Sequence, residues 1–266
     1  MIYDLQKANF FKRISAFLLD LILIAILFTA GMLIISGLVD YDSNLTGLEE
    51  RLTAIQDKHN ITAIEEQYKV SFNEYQYMLP EEVEVLPEEV KLAFDACKEE
   101  MNTDSVSIKL YETIMTLSIL IVSISMLIAF VVLEFIVPLF FKNGQTLGKK
   151  VFSIAVMRVD AVRITPMILF VRSILGKYTI GTMVPLIMLL TLFFGATPLM
   201  PIVILLGILL LQIVLYIFTK TNSLIHDMLA STVVVDFQSQ MIFDSVQAKN
   251  EYQLRIHDEA VNKSNY

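Results

Sequence analysis

Residues 178–219, YTIGTMVPLIMLLTLFFGATPLMPIVILLGILLLQIVLYIFT, contain no charged residue and place the chain among membrane proteins. A helix needs about 20 apolar residues to cross the hydrocarbon core, so this stretch is long enough for two crossings. Glycine and two prolines within residues 195–201 predict a turn between them. Residues 14–39 and 113–141 each contain one acidic residue as their only charge and predict two further crossings.

The composition agrees with this class. Hydrophobic residues make up 55% of the 266 residues, and the mean hydropathy is +0.63. We predict an all-α membrane protein with about four transmembrane helices, at residues 14–38, 113–140, 179–194 and 201–219. A cleaved signal peptide is the competing interpretation of the first run, but that run is too long and has no Ala-x-Ala end.

Positive charges predict the orientation, because Lys and Arg near membrane crossings are retained on the cytoplasmic side. Residues 40–112 contain six of the twenty Lys and Arg residues beside eighteen acidic residues. We therefore expect this segment to be a large acidic helical extracytoplasmic loop, with both the N and C termini cytoplasmic. The net charge of -8 arises mainly from this loop and predicts no nucleic-acid partner.

The predicted segments follow from these boundaries. Residues 1–39 form the cytoplasmic N terminus and the first transmembrane helix, residues 40–112 the acidic outer segment, and residues 113–141 the second transmembrane helix. Residues 142–178 form a basic cytoplasmic segment with an interfacial helix, residues 179–219 the third and fourth transmembrane helices, and residues 220–266 a cytoplasmic C-terminal segment. Residues 151–159 and 231–236 are strand-like, which predicts a small cytoplasmic β element. The single cysteine, Cys97, cannot form an intramolecular disulfide, and pairing between chains stays open.

Two carboxylates inside the apolar runs are candidates for function, because ionisable groups in a membrane helix are costly and usually have a partner or a task. Asp20 lies seven residues after Arg13, on nearly the same helix face and about 10 Å deeper. Glu134 lies eight residues before Lys142, at a depth of about 12 Å. Both carboxylates are expected at similar depth below the same membrane surface.

Pro138 predicts a helix kink, because a proline clashes with the carbonyl four residues earlier, which is that of Glu134. Free carbonyls and carboxylates at a broken helix hold cations or protons in transporters. The alternative is a buried network of structural ion pairs, whose candidate partners are Arg13, Arg172, His226 and Asp227. The sequence leaves both interpretations open.

His226 and Asp227 follow the last apolar run. Histidine titrates close to physiological pH, and a neighbouring carboxylate favours its charged form. Adjacent helical residues do not face each other, so His226 is either a proton-handling group or an ordinary hydrogen-bonding group. The sequence contains no Walker loop, HExxH, paired CxxC or GxSxG motif, so we expect neither enzymatic activity nor a cofactor.

Four motifs in order resemble the RDD family of bacterial integral membrane proteins. They are KRISAFLLD at residues 12–20, QTLGKK at residues 145–150, Arg172, and HDMLASTV at residues 226–233. The family is named for an arginine and two aspartates, which correspond in this chain to Arg13, Asp20 and Asp227. The resemblance covers residues 8–38 and 113–236, and Ala161 stands where members often have a glycine.

The resemblance implies a multi-pass protein of the bacterial cell membrane with a role in transport, and some members resemble cation/proton antiporters. The similar depth of Asp20 and Glu134 and the proline at Pro138 separately predict that sodium, potassium or protons bind at these two carboxylates, with Arg13 as a competing internal cation. Four helices are few for a transporter, so we expect a homo-oligomer or a membrane partner in the lipid bilayer. The alternative is a non-transporting scaffold or sensor whose acidic outer segment binds a partner.

Overall fold

The computed structural model describes residues 5–141, 143–194 and 199–264. Four of its helices are long and apolar enough to cross a membrane, namely Phe10–Leu38, Ser105–Phe141, Pro166–Met188 and Leu199–Phe218. This finding confirms the predicted class of helical membrane protein. The predicted turn at 195–201 falls mainly on residues 195–198, which lie outside the described residues.

The helices follow one another along the chain as α1 Phe10–Leu38, α2 Tyr41–Lys58, α3 Ile61–Tyr68, α4 Phe72–Tyr75, α5 Pro80–Glu84, α6 Glu88–Thr103, α7 Ser105–Phe130, α8 Val137–Phe141, α9 Leu147–Val151, α10 Pro166–Phe170, α11 Val184–Phe194, α12 Leu199–Phe218, α13 Ile225–Leu229 and α14 Val246–Ser264. Two π-helical segments interrupt this α-helical winding. Val131–Ile136 joins α7 to α8, and Val171–Met183 joins α10 to α11. Residues 105–141 and residues 166–194 therefore each form one continuous helix.

The boundary predicted at residues 178 and 179 differs from the structure. The interfacial helix and the third crossing that the sequence predicted are parts of one helix, which runs from Pro166 to Phe194. Arg172 and Lys177 favoured the interfacial interpretation because charges are costly inside a bilayer. Both side chains are instead compensated by buried carboxylates of the same protein.

The small sheet is formed as predicted. Strand β1, Ile154–Arg158, pairs antiparallel with strand β2, Thr232–Asp236. The chain turns after β1 at Ala161, whose φ of 66° lies in the left-handed region that glycine adopts without cost. One face of the sheet packs on the start of α1 through Ala16, and the core on the other face includes Phe243.

The described chain divides into two compact units. One contains the residues up to Gly31 and those from Met126 onward, and the other is Met32–Ser125. The second unit has its own apolar core, in which Phe72, Phe94 and Cys97 are fully buried. This core gives the acidic segment a folded interior without a disulfide.

Because Cys97 is buried, the wild type can serve as the unlabelled control for introduced cysteines that test the orientation of the protein in the membrane. Burial raises the pKa of the Cys97 thiol, so a membrane-impermeant maleimide should leave the wild type unlabelled. Tyr77 is 88% exposed in the same unit, and we expect Tyr77→Cys to be labelled in intact cells. Leu254→Cys, in α14, should be labelled only after the cells are opened. The opposite pattern for these two variants would reverse the predicted topology.

Candidate functional site

The long π-helical segment directs two cations toward the protein interior. Its hydrogen bonds join residues five apart, as between the Val184 N–H and the Thr179 carbonyl. In an α-helix such residues lie about 140° apart, whereas the wider π turn brings them nearly into line. Arg172 and Lys177, which are five residues apart, therefore share one side of this helix.

Arg172 forms a buried ion pair with Asp227. Its Nε and Nη2 atoms donate to Asp227 Oδ1 at 2.9 and 2.7 Å, and both side chains are almost fully buried. The Thr232 hydroxyl donates to the same oxygen at 3.3 Å. Burial alone would raise the pKa of Asp227, but the charge and hydrogen bonds of Arg172, together with other nearby charges such as Arg13, hold the pKa below its usual range.

Gly176 allows α13 to pack directly on the π-helical segment. A Cβ atom at this position would lie 2.6 Å from the Cβ of His226 and 2.8 Å from its Cα. Any other residue would therefore push α13 away. The close approach positions Asp227, the next residue of α13, against Arg172.

Glu134 forms the second buried ion cluster. Its carboxylate pairs with the Lys177 ammonium and lies 4.0 Å from the Lys149 Nζ atom. Its backbone carbonyl, which Pro138 cannot satisfy, accepts a hydrogen bond of 2.7 Å from the Ser173 hydroxyl. The acceptor that the sequence predicted to be free is therefore satisfied by the neighbouring helix.

Asp20 caps the short helix α9. Its two carboxylate oxygens accept hydrogen bonds from the Thr146 hydroxyl at 2.5 Å and from the Gly148 N–H at 2.8 Å. The Thr146 oxygen also accepts from the Lys149 ammonium at 3.3 Å. Lys149 consequently links Asp20, through Thr146, to Glu134.

In the described residues, Arg13 makes no hydrogen bond with Asp20, but its charge acts on Asp227, the other predicted member of the network. Within the described part of the chain, its hydrogen bond goes to the Asn222 carbonyl at 2.8 Å, whereas those of Asp20 go to α9 and the residue before it. The Arg13 guanidinium also lies over the Tyr216 ring, 5.5 Å from its centroid. Arg13 thus joins the start of α1 to the end of α12.

Lys149 carries a buried charge whose stability depends on its surroundings. Its pKa is lowered to about 8, chiefly because burial disfavours the ammonium. Glu134 and Asp20 oppose this shift, and the cations Lys177 and Arg172 reinforce it. Lys149 is therefore mostly charged at neutral pH and mostly neutral in mildly alkaline solution.

His226 is uncharged near neutral pH. Its Nε2 atom lies 3.7 Å from Asp227 Oδ2, and this carboxylate raises the histidine pKa. Burial has a larger effect and, with the cations Arg172, Lys177 and Lys149, lowers the pKa to about 3. Protonation of His226, which the sequence analysis left open as a proton-handling step, therefore takes place only in acid.

A cavity of about 650 Å³ lies beside this network. Its lining combines apolar side chains of α1 and α12, here called its walls, with charged groups of the network, here called its floor. The charged residues that line it are Arg13, Asp20, Lys149, Arg172, Lys177 and Asp227. In the described ranges, no group of three or more His, Cys, Asp or Glu residues is arranged to hold a metal ion.

The structure brings together most of the site residues predicted from sequence and adds others. Arg172, Asp227 and His226 form one group, and Glu134 and Asp20 belong to a second that Lys149 connects. Sequence reasoning missed a set of partners, which are Thr146, Gly148, Lys149, Ser173 and Lys177. Two features of the sequence could have pointed to these partners, namely the QTLGKK motif and the five-residue spacing of Arg172 and Lys177.

Comparison with known proteins gives the family. No curated protein and no solved structure matches the chain. The sequence model of the RDD family matches residues 7–231, which contain every charged residue of the buried network and also run through the outer segment. The chain therefore belongs to the RDD family.

Proposed function

We propose that this RDD family membrane protein is a transporter that exchanges a monovalent cation for a proton, and that Lys149 is the internal cation with which the transported ion competes. The observation that carries the proposal is the position of the Lys149 ammonium. It lies 4.0 Å from the Glu134 carboxylate and contacts the Thr146 hydroxyl that donates to Asp20. Intramembrane carboxylates of this kind are typical of ion and proton pathways.

The charge balance favours a monovalent ion. Glu134 and Asp20 supply two negative charges, which Lys149 and Lys177 neutralise. When Lys149 loses its proton, one negative charge is left uncompensated in a buried site. One sodium or potassium ion would restore neutrality, so the expected exchange is one cation for one proton.

The proton step needs only the amine and water. The Lys149 ammonium releases its proton to water in the cavity, and the neutral amine leaves the carboxylates free to bind the incoming cation. Protonation of the amine later expels that cation. Lys149 takes the competing role that the sequence assigned to Arg13, because Arg13 donates to the Asn222 carbonyl.

The position of the cavity supports a cytoplasmic opening. Phe10, at the start of α1, contacts the ring of Tyr216, near the end of α12, with 5.8 Å between centroids. The first and fourth apolar helices thus have these ends on one side of the protein. Lys and Arg are enriched near these helix ends, which favours the cytoplasmic side.

Proton flux into reconstituted vesicles tests the proposal. Addition of sodium or potassium should drive a proton flux that rises through about pH 8, where Lys149 loses its charge. Lys149→Arg should reduce the flux to that of empty vesicles, because arginine keeps its proton in this pH range. Lys150→Arg is the matched control, since Lys150 is exposed next to the site and should transport normally.

Two results would contradict the proposal. One is a wild type without cation-dependent flux, and the other is a folded Lys149→Arg variant with the wild-type flux and pH profile. Asp20→Asn and Glu134→Gln should also abolish the flux, whereas Glu81→Gln and Glu88→Gln in the outer unit should not.

The second candidate function is a non-transporting scaffold or sensor. It is favoured by the separate apolar core of Met32–Ser125, which gives the acidic segment a folded structure of its own. A basic partner would suit its charge. A folded wild type that shows no cation-dependent flux but binds a basic partner, with weaker binding in the two outer glutamine variants and unchanged binding in Lys149→Arg, would favour this candidate.

A further inference from the structure

The walls of the cavity are formed by apolar side chains that are about half exposed. Phe10 and Phe17 of α1 and Ile213 and Ile217 of α12 line it, and they are between 46% and 62% exposed. Both helices are long and apolar enough to cross a membrane. Side chains exposed on such helices meet lipid, so acyl chains can reach the cavity walls from the bilayer.

The floor of the cavity has the opposite character. Four cations and two carboxylates line it, and Glu134, which does not line it, pairs with the cations Lys177 and Lys149, so one positive charge is left in excess. Both carboxylates are already occupied, since Asp20 accepts from Thr146 and Gly148 and Asp227 accepts from Arg172. Within the described residues, this excess charge belongs to Arg13, because the other three cations each contact a carboxylate or its hydrogen-bond partner.

Arg13 has spare capacity to bind an anion. An arginine has five N–H donors, and within the described residues Nη1 donates to the Asn222 carbonyl. The guanidinium lies over Tyr216 at the end of the span, where arginine and tyrosine side chains meet the headgroup layer. Its planar donors match the geometry of a phosphate.

We propose that this cavity binds an anionic phospholipid of the surrounding bilayer, with the phosphate at Arg13 and the acyl chains along the walls formed by α1 and α12. Basic pockets between membrane helices recognise anionic headgroups in this way. The volume of about 650 Å³ is within the usual range for ligand pockets. A soluble phosphate would make no use of the apolar walls, so the lipid is the better occupant. This site goes beyond the proposed cation exchange and does not depend on it.

Lipid binding to the purified, delipidated protein tests the proposal. In neutral detergent, phosphatidylglycerol should bind about tenfold more tightly than phosphatidylcholine with the same acyl chains. Arg13→Gln should abolish this preference, and Arg13→Lys should keep part of it. Lys220→Gln is the matched control, because it removes an exposed cation near the same end of α12 that does not line the cavity.

Three outcomes would overturn the lipid site. Equal binding of the two lipids by the wild type needs no variant and is decisive. An equal loss in Lys220→Gln and Arg13→Gln would show only surface attraction. Displacement of the lipid by the same concentration of soluble glycerol phosphate would identify a site for free anions. Failure of cation exchange in vesicles would leave the lipid preference unchanged, so the two proposals fail separately.

Discussion

An Asp227→Asn variant is expected to lose about 3–5 kcal/mol of folding free energy, because it leaves the charged Arg172 buried without its partner. Arg172 is 3% exposed and directs two donors to one oxygen of Asp227. The neutral amide that replaces the carboxylate cannot balance the guanidinium charge. Unfolding of the purified protein in detergent, followed by circular dichroism, measures the loss.

A double variant measures the energetic coupling between Arg172 and Asp227. Arg172→Leu combined with Asp227→Leu should lose less than the sum of the two single changes, because no unpaired charge is left. A loss equal to the sum would mean that the two side chains are not coupled. Asp244→Asn is the control, since Asp244 pairs with Arg163 while 75% exposed and should leave stability unchanged.

The pair also predicts a pH dependence of stability. The folded-state pKa of Asp227 lies below its ordinary value of 3.8. The stabilisation that the ion pair gives is therefore fully present above that value and is lost as the pH falls toward the folded-state pKa. The difference in stability between the wild type and Asp227→Asn should accordingly shrink in acid.

Gly148→Ala is expected to have the second large effect, a loss of about 3 kcal/mol. The added Cβ would lie 2.2 Å from the Ala16 carbonyl oxygen and 2.8 Å from Asp20 Oδ1. The helix α9 would have to move away from α1, which would leave the Asp20 carboxylate buried without its donors. The same unfolding measurement in detergent detects this loss.

Another helical glycine supplies the control for this variant. A Cβ at Gly207, within α12, would have no heavy atom within 4 Å. Gly207→Ala should keep or slightly raise stability, because alanine favours a helix by about 1 kcal/mol over glycine. Similar losses in both variants would mean that the contact between α9 and α1 is not the cause.

The sequence predicted the apolar helices and the small sheet, because both depend on local composition. It also predicted that Asp20 and Glu134 are buried, since each interrupts a long uncharged run. It did not identify Lys177 as a partner of Glu134. Helical pattern analysis assumes about 100° per residue, and this places Lys177 on a different face from Arg172 unless the winding is π-helical.

The partners of Asp20 were beyond sequence reasoning for another reason. Thr146 is 126 residues away along the chain, and no local pattern connects the two positions. The same holds for Ser173, which satisfies the carbonyl of Glu134 from a different helix. Pro138 correctly marked that carbonyl as lacking its usual donor, but only the tertiary structure supplies the hydroxyl that replaces it.

The π-helical segment Val171–Met183 has a consequence for insertions and deletions. In an ordinary α-helix, residues four apart share a face. A homologous chain with one residue fewer between the positions of Arg172 and Lys177 would therefore present the same two cations from α-helical winding. Deletion of one residue between these two positions should be accepted in this segment, whereas a deletion within a regular α-helix rotates all later side chains by about 100°.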